Sequence, residues 1–503
     1  MPSSRRAARV TRAGALFLAA AAMFLPIAAS GAASPPSPSR LILSPCTVPG
    51  ISGEARCGSY SVYENRAAHR GRKIALKILV LPATGPERMP DPIVWFAGGP
   101  GGSATEDAPG LVKALEAMLR RRDLVLIDQR GTGGSSPLNC VLFQPPEDPQ
   151  SYLGDFFPDS AVRDCRRELE RNSDLTQYTT SIAMDDIDDI RAALGYTRVN
   201  LLGGSYGTRA ALVYIRGHAA HVRTAILVGA VPTNVRMPLA FPRTAQRALD
   251  GVLGDCATDP NCRAAFPNIR TEADAVLESL ASKPARVDIQ DRKSGGAKTV
   301  TLSRDLAAEA IRYMMYDPSS ADDLPAVLHQ ASLGNFTPLA ERALFSRREM
   351  VAGGSNGMYL SVTCAEDVPW IAPGEGERAA AGTFLGDYRL RQQRNACSLW
   401  PRGTIPAGYA RPVHGKTPVL IVSGAWDPVT PPSDGSAVAK SLSRSLHVIV
   451  PHGGHSFEGL EGTECLDRLF AEFVDRGTTR ELDTACVGRI KRKGFAPTPG
   501  PIE

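Results

Sequence analysis

A serine between glycines is the residue of this sequence best placed to attack a carbonyl carbon. Ser205 lies in the pattern Gly203-x-Ser205-x-Gly207, directly after the apolar run 199–202. Glycines at those two positions let the backbone turn sharply from a strand into a helix, so that the serine hydroxyl projects above the sheet edge. The pattern predicts a nucleophilic serine on such a turn. The alternative is a small buried residue at a glycine-rich turn, since the chain contains 47 glycines.

A serine nucleophile requires a general base, and a carboxylate must orient that base. In one known arrangement the three residues follow in the chain order serine, aspartate, histidine. Asp427 follows the apolar run 419–422, and His455 follows the apolar run 448–450. His452 competes for the role of base, but we favour His455 because it comes later in a glycine-rich loop that can extend over the serine. The alternative for the aspartate is a plain loop cap.

A second glycine-rich loop is suited to bind the oxyanion of the reaction. Residues 98–102 read Gly-Gly-Pro-Gly-Gly and follow the apolar run 92–97. A tetrahedral intermediate requires backbone N–H groups aimed at its negatively charged oxygen. We expect Gly99 to supply one N–H, with Gly98 as second choice, and Tyr206, the residue after the nucleophile, to supply the other. A phosphate-binding loop is disfavoured because no Lys-Ser/Thr pair follows the glycines.

These side chains must be positioned by the elements that precede them. Short apolar runs bounded mostly by glycine or proline are typical of buried strands in a parallel sheet, and amphipathic stretches between them are typical of covering helices. The sequence therefore predicts an α/β fold with a mostly parallel sheet. The predicted strands are 73–81, 92–97, 123–128, 199–202, 224–228, 418–423 and 446–450, and the clearest covering helices are 184–194 and 208–216.

The periodicity changes in the middle of the chain. Helical patterns occupy 243–253, 304–313 and 322–330, with a polar, hairpin-like stretch near 287–302. Strand-like runs resume afterwards, so we interpret this part as a largely helical insertion rather than as an independent domain. The predicted organisation is a core in two parts, residues 34–234 and 413–503, separated by a cap segment, residues 235–412.

The amino-terminal residues have the composition of a secretory signal peptide. Four arginines precede the uncharged run 13–29, which is followed by small residues suited to cleavage. We predict a signal peptide over residues 1–33 and export to a periplasm or to the extracellular space. A single membrane anchor is disfavoured because the run is barely long enough to span a bilayer and contains Pro26. No later segment predicts a membrane span, so we expect no membrane association after removal of the leader.

The charge of the chain argues against one class of partner. The formal net charge is +5, and four of the positive charges lie in the predicted leader. The mature chain is therefore close to neutral, and it has no dense basic run with interleaved aromatic residues. Nucleic-acid binding has no support in the sequence.

All ten cysteines follow the predicted leader, and an even number in an exported chain indicates disulfides. They fall into close successive couples, which we predict to be the bonded pairs. A metal site is not predicted, because the sequence has neither Cys-x-x-Cys nor histidine clusters at ligand spacing. The predicted pairs are Cys46 with Cys57, Cys140 with Cys165, Cys256 with Cys262, Cys364 with Cys397, and Cys465 with Cys486.

Several motifs occur together in an order that resembles a known family. They are the glycine-rich segments 98–102 and 203–207, Asp-Gln-Arg-Gly-Thr-Gly-Gly-Ser at 128–135, and Asp-Pro-Val-Thr-Pro at 427–431 with His455 after it. Together they resemble the proline iminopeptidase and tripeptidyl aminopeptidase family of α/β-hydrolases, from about residue 41 onward, and most of all its exported tripeptidyl-aminopeptidase-like branch. One departure is Ala97 before the two glycines, where many relatives carry histidine.

The resemblance implies an α/β-hydrolase fold and an exopeptidase that releases short peptides or single residues from free amino termini. It implies Ser205, Asp427 and His455 as the catalytic triad, peptides with free amino termini as the partners, and no metal or organic cofactor. The same residues hydrolyse esters, because the cap alone decides what reaches them, so an esterase or other acyl hydrolase is the alternative. A catalytically silent binding module is disfavoured because all three residues are present.

An aminopeptidase must also bind a positively charged α-amino group. We expect Glu366 and Asp367, in the cap segment, to do so, with a solvated acidic pair as the alternative. We expect Thr430 to support the loop of the triad acid through a hydrogen bond. Asp128 and Arg130 are expected to form an ion pair beneath the oxyanion loop rather than to act on substrate.

Overall fold

The computed structural model describes residues 41–291, 293 and 295–501, all within one compact unit. The predicted signal peptide, residues 1–33, lies outside the described residues. The strands are β1 (Ser44–Pro45), β2 (Arg56–Tyr63), β3 (Lys73–Leu81), β4 (Ile93–Phe96), β5 (Leu124–Ile127), β6 (Val199–Gly204), β7 (Val222–Val228), β8 (Ala285–Asp291), β9 (Gly296–Leu302), β10 (Val419–Gly424), β11 (Ser445–Val450), β12 (Leu460–Glu461) and β13 (Lys491–Arg492).

Helices connect most of these strands. In chain order they are α1 (Ala108–Ala114), α2 (Glu116–Leu119), α3 (Pro149–Tyr152), α4 (Asp159–Leu169), α5 (Thr180–Ala193), α6 (Tyr206–His218), α7 (Phe241–Thr258), α8 (Pro260–Ala265), α9 (Ile269–Ser282), α10 (Arg304–Met314), α11 (Pro318–Ser332), α12 (Thr337–Ala352), α13 (Asn356–Glu366), α14 (Glu375–Ala380), α15 (Tyr388–Leu399), α16 (Pro432–Ser441) and α17 (Glu464–Arg476). Within the described ranges, none of them has both the length and the apolar composition needed to cross a bilayer.

One large sheet organises the molecule. Its nine strands lie in the order β1-β2-β3-β5-β4-β6-β7-β10-β11. The strands from β5 to β11 in that order pair in parallel, while β1, β2 and β3 add an antiparallel edge. This arrangement confirms the predicted α/β fold with a mostly parallel sheet.

Alternate side chains of the central strands pack on opposite faces of the sheet. In β5, Val125 and Ile127 pack in the same cluster as α5 and α6, whereas Leu124 and Leu126 pack with α2 and α17. Because helices cover both faces, a central strand has no solvated side and reads in the sequence as an uninterrupted apolar run. The carboxyl ends of the parallel strands point to one edge of the sheet, where the loops with the candidate residues lie.

The chain between β7 and β10 contains α7 to α15 and the antiparallel hairpin β8–β9, in the interval where the sequence predicts the cap segment. All of these elements except α14 contribute to one hydrophobic cluster. The cluster also takes in α4, Phe156 and Phe157 from the connection between β5 and β6, which the sequence assigns to the core. We therefore propose that residues 138–178 belong with the cap segment, beyond the predicted boundaries.

Five disulfides join the same successive couples that the sequence predicts, with Cα–Cα distances of 5.1 to 6.0 Å. Three of them bind helices together or to nearby loops in and around the cap segment. Cys364–Cys397 links α13 to α15, and Cys256–Cys262 links α7 to α8. Cys140–Cys165 lies within the β5–β6 connection that packs with the cap segment.

Candidate active site

The turn at Ser205 joins β6 to α6 in a strained backbone conformation. Ser205 has φ +54° and ψ −125°, a region that residues with a side chain rarely adopt. Glycine is required at positions 203 and 207 because other backbone segments lie too close to leave room for a side chain. A Cβ at Gly207 would lie 1.9 Å from the carbonyl oxygen of Phe96, and one at Gly203 would lie 2.5 Å from the carbonyl oxygen of Gly207. Tight packing of β6, α6 and β4 thus explains the Gly-x-Ser-x-Gly pattern.

Hydrogen bonds hold this turn in place. The Ser205 N–H donates to the carbonyl of Val228 at 2.9 Å. The Thr208 hydroxyl donates to the Ser205 carbonyl at 2.6 Å and accepts from the Val231 N–H at 2.8 Å. The end of β7 therefore braces the serine turn, which keeps the hydroxyl at the carboxyl edge of the sheet.

Asp427 and His455 meet at the same edge. Asp427 follows β10 and is fully buried, and its Oδ2 accepts a hydrogen bond from His455 Nδ1 at 2.9 Å. The Thr430 hydroxyl donates to the same oxygen at 2.6 Å and lies 3.1 Å from His455 Nδ1. The backbone N–H groups of Val429 and Thr430 donate to Oδ1 at 2.8 Å each. The expectation that Thr430 supports the acid loop agrees with these contacts.

The environment of Asp427 favours its ionised form. Burial alone would raise the pKa of this carboxyl, but the charge of His455 and the hydrogen bonds from His455 and Thr430 outweigh burial and lower the pKa below its usual value. An ionised Asp427 facing Nδ1 orients the imidazole and leaves Nε2 available as a base. This pair can therefore accept a proton from a hydroxyl and stabilise the resulting imidazolium.

Ser205 and His455 line one cavity of about 410 Å³ together with the loop of Gly98 and Gly99. The structure has no hydrogen bond from the Ser205 hydroxyl to the imidazole. In enzymes without bound substrate such catalytic bonds are often long, and they tighten in the substrate complex. The predicted nucleophile and base therefore line the same cavity but are not hydrogen-bonded to each other.

The oxyanion loop passes close to the serine. A Cβ at Gly98 would lie 3.4 Å from Ser205 Cβ, and Gly99 has φ +113°, a conformation that favours glycine. Tyr206 is the first residue of α6, where an N–H has no acceptor within the helix. Within the part of the chain that the structure describes, the N–H groups of Gly99 and Tyr206 have no acceptor, so both are available to an oxyanion.

Asp128 anchors this loop, but not through the expected ion pair. Its oxygens accept from the Ser103 and Thr105 hydroxyls and from two backbone N–H groups, each at 2.8 to 2.9 Å. Arg130 instead pairs with Asp186 of α5, at 2.6 Å. The prediction of an Asp128–Arg130 ion pair is therefore wrong, because each group finds a closer partner on a neighbouring segment.

The competing histidine is engaged elsewhere. His452 Nδ1 lies 2.7 Å from Asp255 Oδ2 on α7, and the Trp426 indole N–H donates to the same oxygen at 2.8 Å. His452 does not line the cavity that contains Ser205. This placement supports the choice of His455 as the candidate base.

Glu366 and Asp367 do not line the cavity of Ser205 and His455, which contradicts the expectation that they bind a substrate amino group. Their exposed fractions are 4% and 1%. Glu366 accepts from the Thr180 N–H at 2.6 Å, from the Thr180 hydroxyl at 2.8 Å and from the Tyr409 hydroxyl. Asp367 pairs with Arg209 of α6 at 2.8 Å. Burial raises the pKa of both carboxyls.

These two carboxylates contact α5 and α6 in the protein interior, not the cavity that contains Ser205. The Thr180 hydroxyl that contacts Glu366 also lies 2.7 Å from the Tyr206 hydroxyl, and Arg209 lies one turn further along α6. Both groups therefore position the beginning of α6, which carries the candidate oxyanion donor. The sequence predicts their acidity but not their partners, which lie far away in the chain.

The cavity walls contain side chains that no local motif reveals. Two of them are cationic, Arg312 from α10 and Arg389 from α15, and one is acidic, Asp107, whose carboxylate accepts from the Trp95 indole N–H at 2.7 Å. Aromatic residues complete the walls, among them Tyr316, whose ring contacts the His455 ring edge-on with centroids 5.1 Å apart. The sequence misses them because cap helices of ordinary composition supply most of them.

The loop of His455 is also bonded to the cap segment. The Ser456 N–H donates to the Tyr316 carbonyl at 2.7 Å, and a Cβ at Gly454 would lie 2.5 Å from the Met315 carbonyl oxygen. Arg312 donates to the Tyr316 hydroxyl at 2.8 Å and pairs with Glu309 at the same distance. The residues directly after α10, Met315 and Tyr316, therefore help to position the candidate base.

Among the described residues, one group of possible metal ligands occurs outside the cavity. Asp188, His218 and His221 present ligand atoms within 4.8 Å of one another. The Arg191 guanidinium and the Tyr214 hydroxyl already bind the Asp188 carboxylate, each at 2.7 Å. The carboxylate is thus neutralised by a fixed cation, which opposes binding of a metal ion there.

Sequence comparisons show which known proteins this chain is similar to. The model of the alpha/beta hydrolase fold matches residues 91–457. The chain is 28% identical over 476 residues to "Serine protease Hip1" of Mycobacterium tuberculosis, covering 87% of this chain and 88% of that protein. It is 25% identical to the "Tripeptidyl aminopeptidase" of Streptomyces coelicolor over 86% of this chain and 83% of the relative.

The chain is also similar to a protein named as an esterase and to a solved peptidase structure. "Carboxylesterase B" of Mycobacterium tuberculosis is 25% identical over 464 residues, covering 86% of each chain. Among solved structures, the proline iminopeptidase of Mycobacterium smegmatis is similar with a TM-score of 0.40 and 14% identity, covering 84% of this chain and 98% of that one.

Proposed function

Because the chain belongs to the alpha/beta hydrolase fold family and is a serine hydrolase of that type, we propose that it is an exported exopeptidase that cleaves peptide bonds near free amino termini. Ser205 is the nucleophile, His455 the base and Asp427 the acid of the triad. The observation that carries the proposal is the buried Asp427–His455 hydrogen bond at the cavity that also contains Ser205. Relatives named as a serine protease and a tripeptidyl aminopeptidase support the peptide substrate.

Acylation begins when His455 Nε2 accepts the proton of the Ser205 hydroxyl and Oγ attacks the peptide carbonyl carbon. The negative charge moves to the carbonyl oxygen, which the N–H groups of Gly99 and Tyr206 stabilise. The intermediate collapses as the C–N bond breaks and the leaving amine takes the proton from Nε2. Asp427 stays ionised throughout and stabilises the imidazolium.

Deacylation repeats these steps with water. His455 Nε2 accepts a proton from a water molecule, whose oxygen attacks the ester carbonyl of the acyl-enzyme. The second tetrahedral intermediate uses the same two N–H donors, and its collapse returns the proton to Ser205 Oγ. The products are a carboxylic acid and a free enzyme, and the cycle requires no cofactor.

The cavity supports exopeptidase rather than endopeptidase action. The cap segment contributes most of the lining residues, and the cavity volume of about 410 Å³ lies in the range of sites for small ligands. Asp107 supplies the carboxylate among the lining residues. We propose that Asp107, in place of Glu366 and Asp367, contacts the α-amino group of the substrate.

The decisive experiment compares pairs of peptides that differ only in a free or an acetylated amino terminus, with the products weighed by mass spectrometry. We expect cleavage of the free-amine peptides, with kcat/KM at least about tenfold lower for the acetylated ones. Ser205→Ala is expected to abolish turnover of both. Equal cleavage of the two peptides by the wild type would reject the exopeptidase assignment, and unchanged turnover by Ser205→Ala would reject the nucleophile.

An esterase is the second candidate, favoured by the similarity to Carboxylesterase B and by the ability of the same triad to hydrolyse esters. Matched substrates with one acyl group, presented as a 4-nitrophenyl ester and as a 4-nitroanilide, distinguish the two. A peptidase cleaves the anilide at a rate comparable to peptides. An enzyme that cleaves only the ester, and no peptide of the library, is an esterase.

Export is the remaining part of the proposal. The described residues form five disulfides. Disulfides persist in oxidising compartments and are rare in a reducing cytosol. The amino-terminal sequence of protein recovered from a periplasmic or culture fraction tests export directly. We expect it to begin near residue 34, and an intact leader in protein from the cytosol would contradict export.

A further inference from the structure

Arg389 is a buried cation with unused hydrogen-bond donors. It lies near the beginning of α15, and only 7% of its surface is exposed. One donor, Nη2, binds the Tyr359 hydroxyl at 3.0 Å. Its Nε and Nη1 atoms have no hydrogen-bond partner among the described residues. Folded proteins seldom leave such groups unsatisfied, because the loss of hydration is costly.

The charge of Arg389 is also uncompensated. Two other buried arginines near the site pair with a buried carboxylate, Arg209 with Asp367 and Arg312 with Glu309, both at 2.8 Å. In the part of the chain that the structure covers, no carboxylate lies within 4.0 Å of the Arg389 guanidinium nitrogens. Its environment therefore lacks the anion that neutralises the comparable side chains.

A neighbouring cation increases this local positive charge. Arg347 also lies against the Phe156 ring, with its guanidinium carbon 3.9 Å from the ring centroid, compared with 3.2 Å for Arg389. Arg347 donates to the carbonyls of Tyr152 and Asp155 but to no carboxylate. Burial, reinforced by the charge of Arg389, lowers the pKa of Arg347 to about 10. The aromatic contacts position the two cations without cancelling their charge.

Arg389 faces the same cavity as Ser205 and His455. Its position is fixed, because the Cys364–Cys397 disulfide joins α15 to α13, the helix that carries Tyr359. We propose that Arg389 is a specificity-determining residue that binds a carboxylate of the substrate while the scissile carbonyl lies at Ser205. A carboxylate matches the planar guanidinium and supplies the missing acceptor and counterion together.

This inference rests on the proposed function for the identity of the peptide, but the carboxylate itself has two possible sources. An acidic side chain within the released segment is one, and the terminal carboxylate of a very short peptide is the other. Both present the same chemical group to Arg389. Substrates that change one source at a time separate them.

The test measures kcat/KM for three matched pairs of substrates. The first pair consists of free-amine tripeptide 4-nitroanilides with glutamate or glutamine, placed at each position in turn. The second is a tetrapeptide as the free acid or the amide. The third is 4-nitrophenyl hemisuccinate and 4-nitrophenyl butyrate, which report carboxylate recognition even if the enzyme cleaves no peptide.

We expect the wild type to prefer the acidic member of at least one pair by tenfold or more. In Arg389→Met the acid-to-neutral ratio is expected to fall toward one, mainly through KM, while Arg389→Lys keeps part of the preference. Arg391→Met is the matched control, because Arg391 lies on the same helix with 59% of its side chain exposed, and its ratio should equal that of the wild type.

The outcomes separate the inference from the function that underlies it. A wild type without preference in any pair, or an Arg389→Met variant that keeps the preference, overturns the role of Arg389. Activity on the esters alone, with a ratio that still depends on Arg389, rejects the peptidase assignment and retains the carboxylate site. Near-ultraviolet circular dichroism of each variant shows whether the fold is intact, and Arg389→Lys serves if Arg389→Met fails to fold.

Discussion

At the scale of single residues, the triad acid is fully buried and hydrogen-bonded, whereas Ser205 and His455 are half-buried and line the cavity. Asp427 accepts four hydrogen bonds, two of them from Thr430. Ser205 holds a backbone conformation with positive φ that costs free energy. Local order here depends on a threonine hydroxyl and on a strained turn, and each can be altered separately.

Thr430→Val removes the hydroxyl that donates to Asp427 Oδ2 while keeping the shape of the side chain. We expect kcat to fall by about 10- to 100-fold, because Asp427 and the His455 imidazole lose their common partner. Thr430→Ser, which restores the hydroxyl, should recover most of the activity. Steady-state kinetics on the preferred substrate provide the measurement, and equal rates for the valine and serine variants would contradict the role.

The same variant should change how stability depends on pH. The pKa of Asp427 is lowered in the folded protein, so its contribution is present above the unfolded pKa and is lost as the pH falls through the folded pKa. Thr430→Val weakens that contribution. The difference in unfolding free energy between wild type and variant should therefore be largest near neutral pH and shrink below about pH 4, as urea denaturation at a series of pH values would show.

Replacing Ser205 tests the strain in the turn. Ser205→Gly removes the Cβ from a residue with φ +54°, so we expect the free energy of unfolding to rise by about 1 kcal/mol. Ser205→Ala keeps the Cβ and should leave stability close to that of the wild type. Both variants should be inactive. Thermal denaturation compares them, and a Ser205→Gly variant that is less stable than Ser205→Ala would contradict strain in the turn, because glycine then only adds entropy to the unfolded chain.

At the scale of elements, the sequence predicts best where one element carries its own signal. The strands β4, β5 and β10 are buried along almost their whole length and appear as continuous apolar runs, so their predicted bounds agree with the structure to within a residue or two. The predicted bounds of β3 and β11 agree as closely, although both strands have exposed positions. β2 was not predicted, because it lies toward the antiparallel edge of the sheet, is partly exposed and carries polar residues.

The same distinction applies to the candidate site. Ser205, Asp427, His455 and Gly99 follow strands within short motifs, so local sequence suffices to find them. The partners of Glu366 and the position of Arg389 depend on contacts between segments at least 30 residues apart. No periodicity or motif encodes such contacts, and an acidic pair in a helix looks the same whether it faces substrate or the interior.

Glu366 supports the beginning of α6 through the Thr180 hydroxyl, which also contacts the Tyr206 hydroxyl. Replacing Glu366 tests that role. Glu366→Ala leaves donors of Thr180 and Tyr409 unsatisfied, so we expect the free energy of unfolding to fall by about 2–3 kcal/mol. The preference for free-amine over acetylated peptides should be unchanged. Glu377→Ala, an exposed acid on α14, is the control and should alter stability little. A selective loss of the free-amine preference would restore the original expectation for Glu366.

At the scale of the whole molecule, the cap segment packs continuously against the core. Its hydrophobic cluster includes Tyr206 of α6 and Val429 from the loop after β10. Disulfides join the cap helices to one another. The cavity lies where these layers meet, so its walls come from both. Specificity and stability of this region therefore depend on the same helix contacts.

Removing disulfides should have graded effects. In a chain-entropy description, opening the 33-residue loop of Cys364–Cys397 costs about 4 kcal/mol and opening the 6-residue loop of Cys256–Cys262 costs about 2 kcal/mol. We expect double serine variants to follow that order in chemical denaturation. Loss of Cys364–Cys397 should also raise KM for carboxylate-bearing substrates, because α13 and α15 carry Tyr359 and Arg389. The reverse order of stabilities would contradict this account.

The contact between Tyr316 and the loop of His455 couples the shape of the cavity to the position of the base. The Ser456 N–H donates to the Tyr316 carbonyl, and the His455 ring lies edge-on against the Tyr316 ring. Tyr316 also lines the cavity. A substitution near this residue that reshapes the cavity would therefore also move the proton acceptor, so that selectivity and turnover cannot be altered independently at this wall.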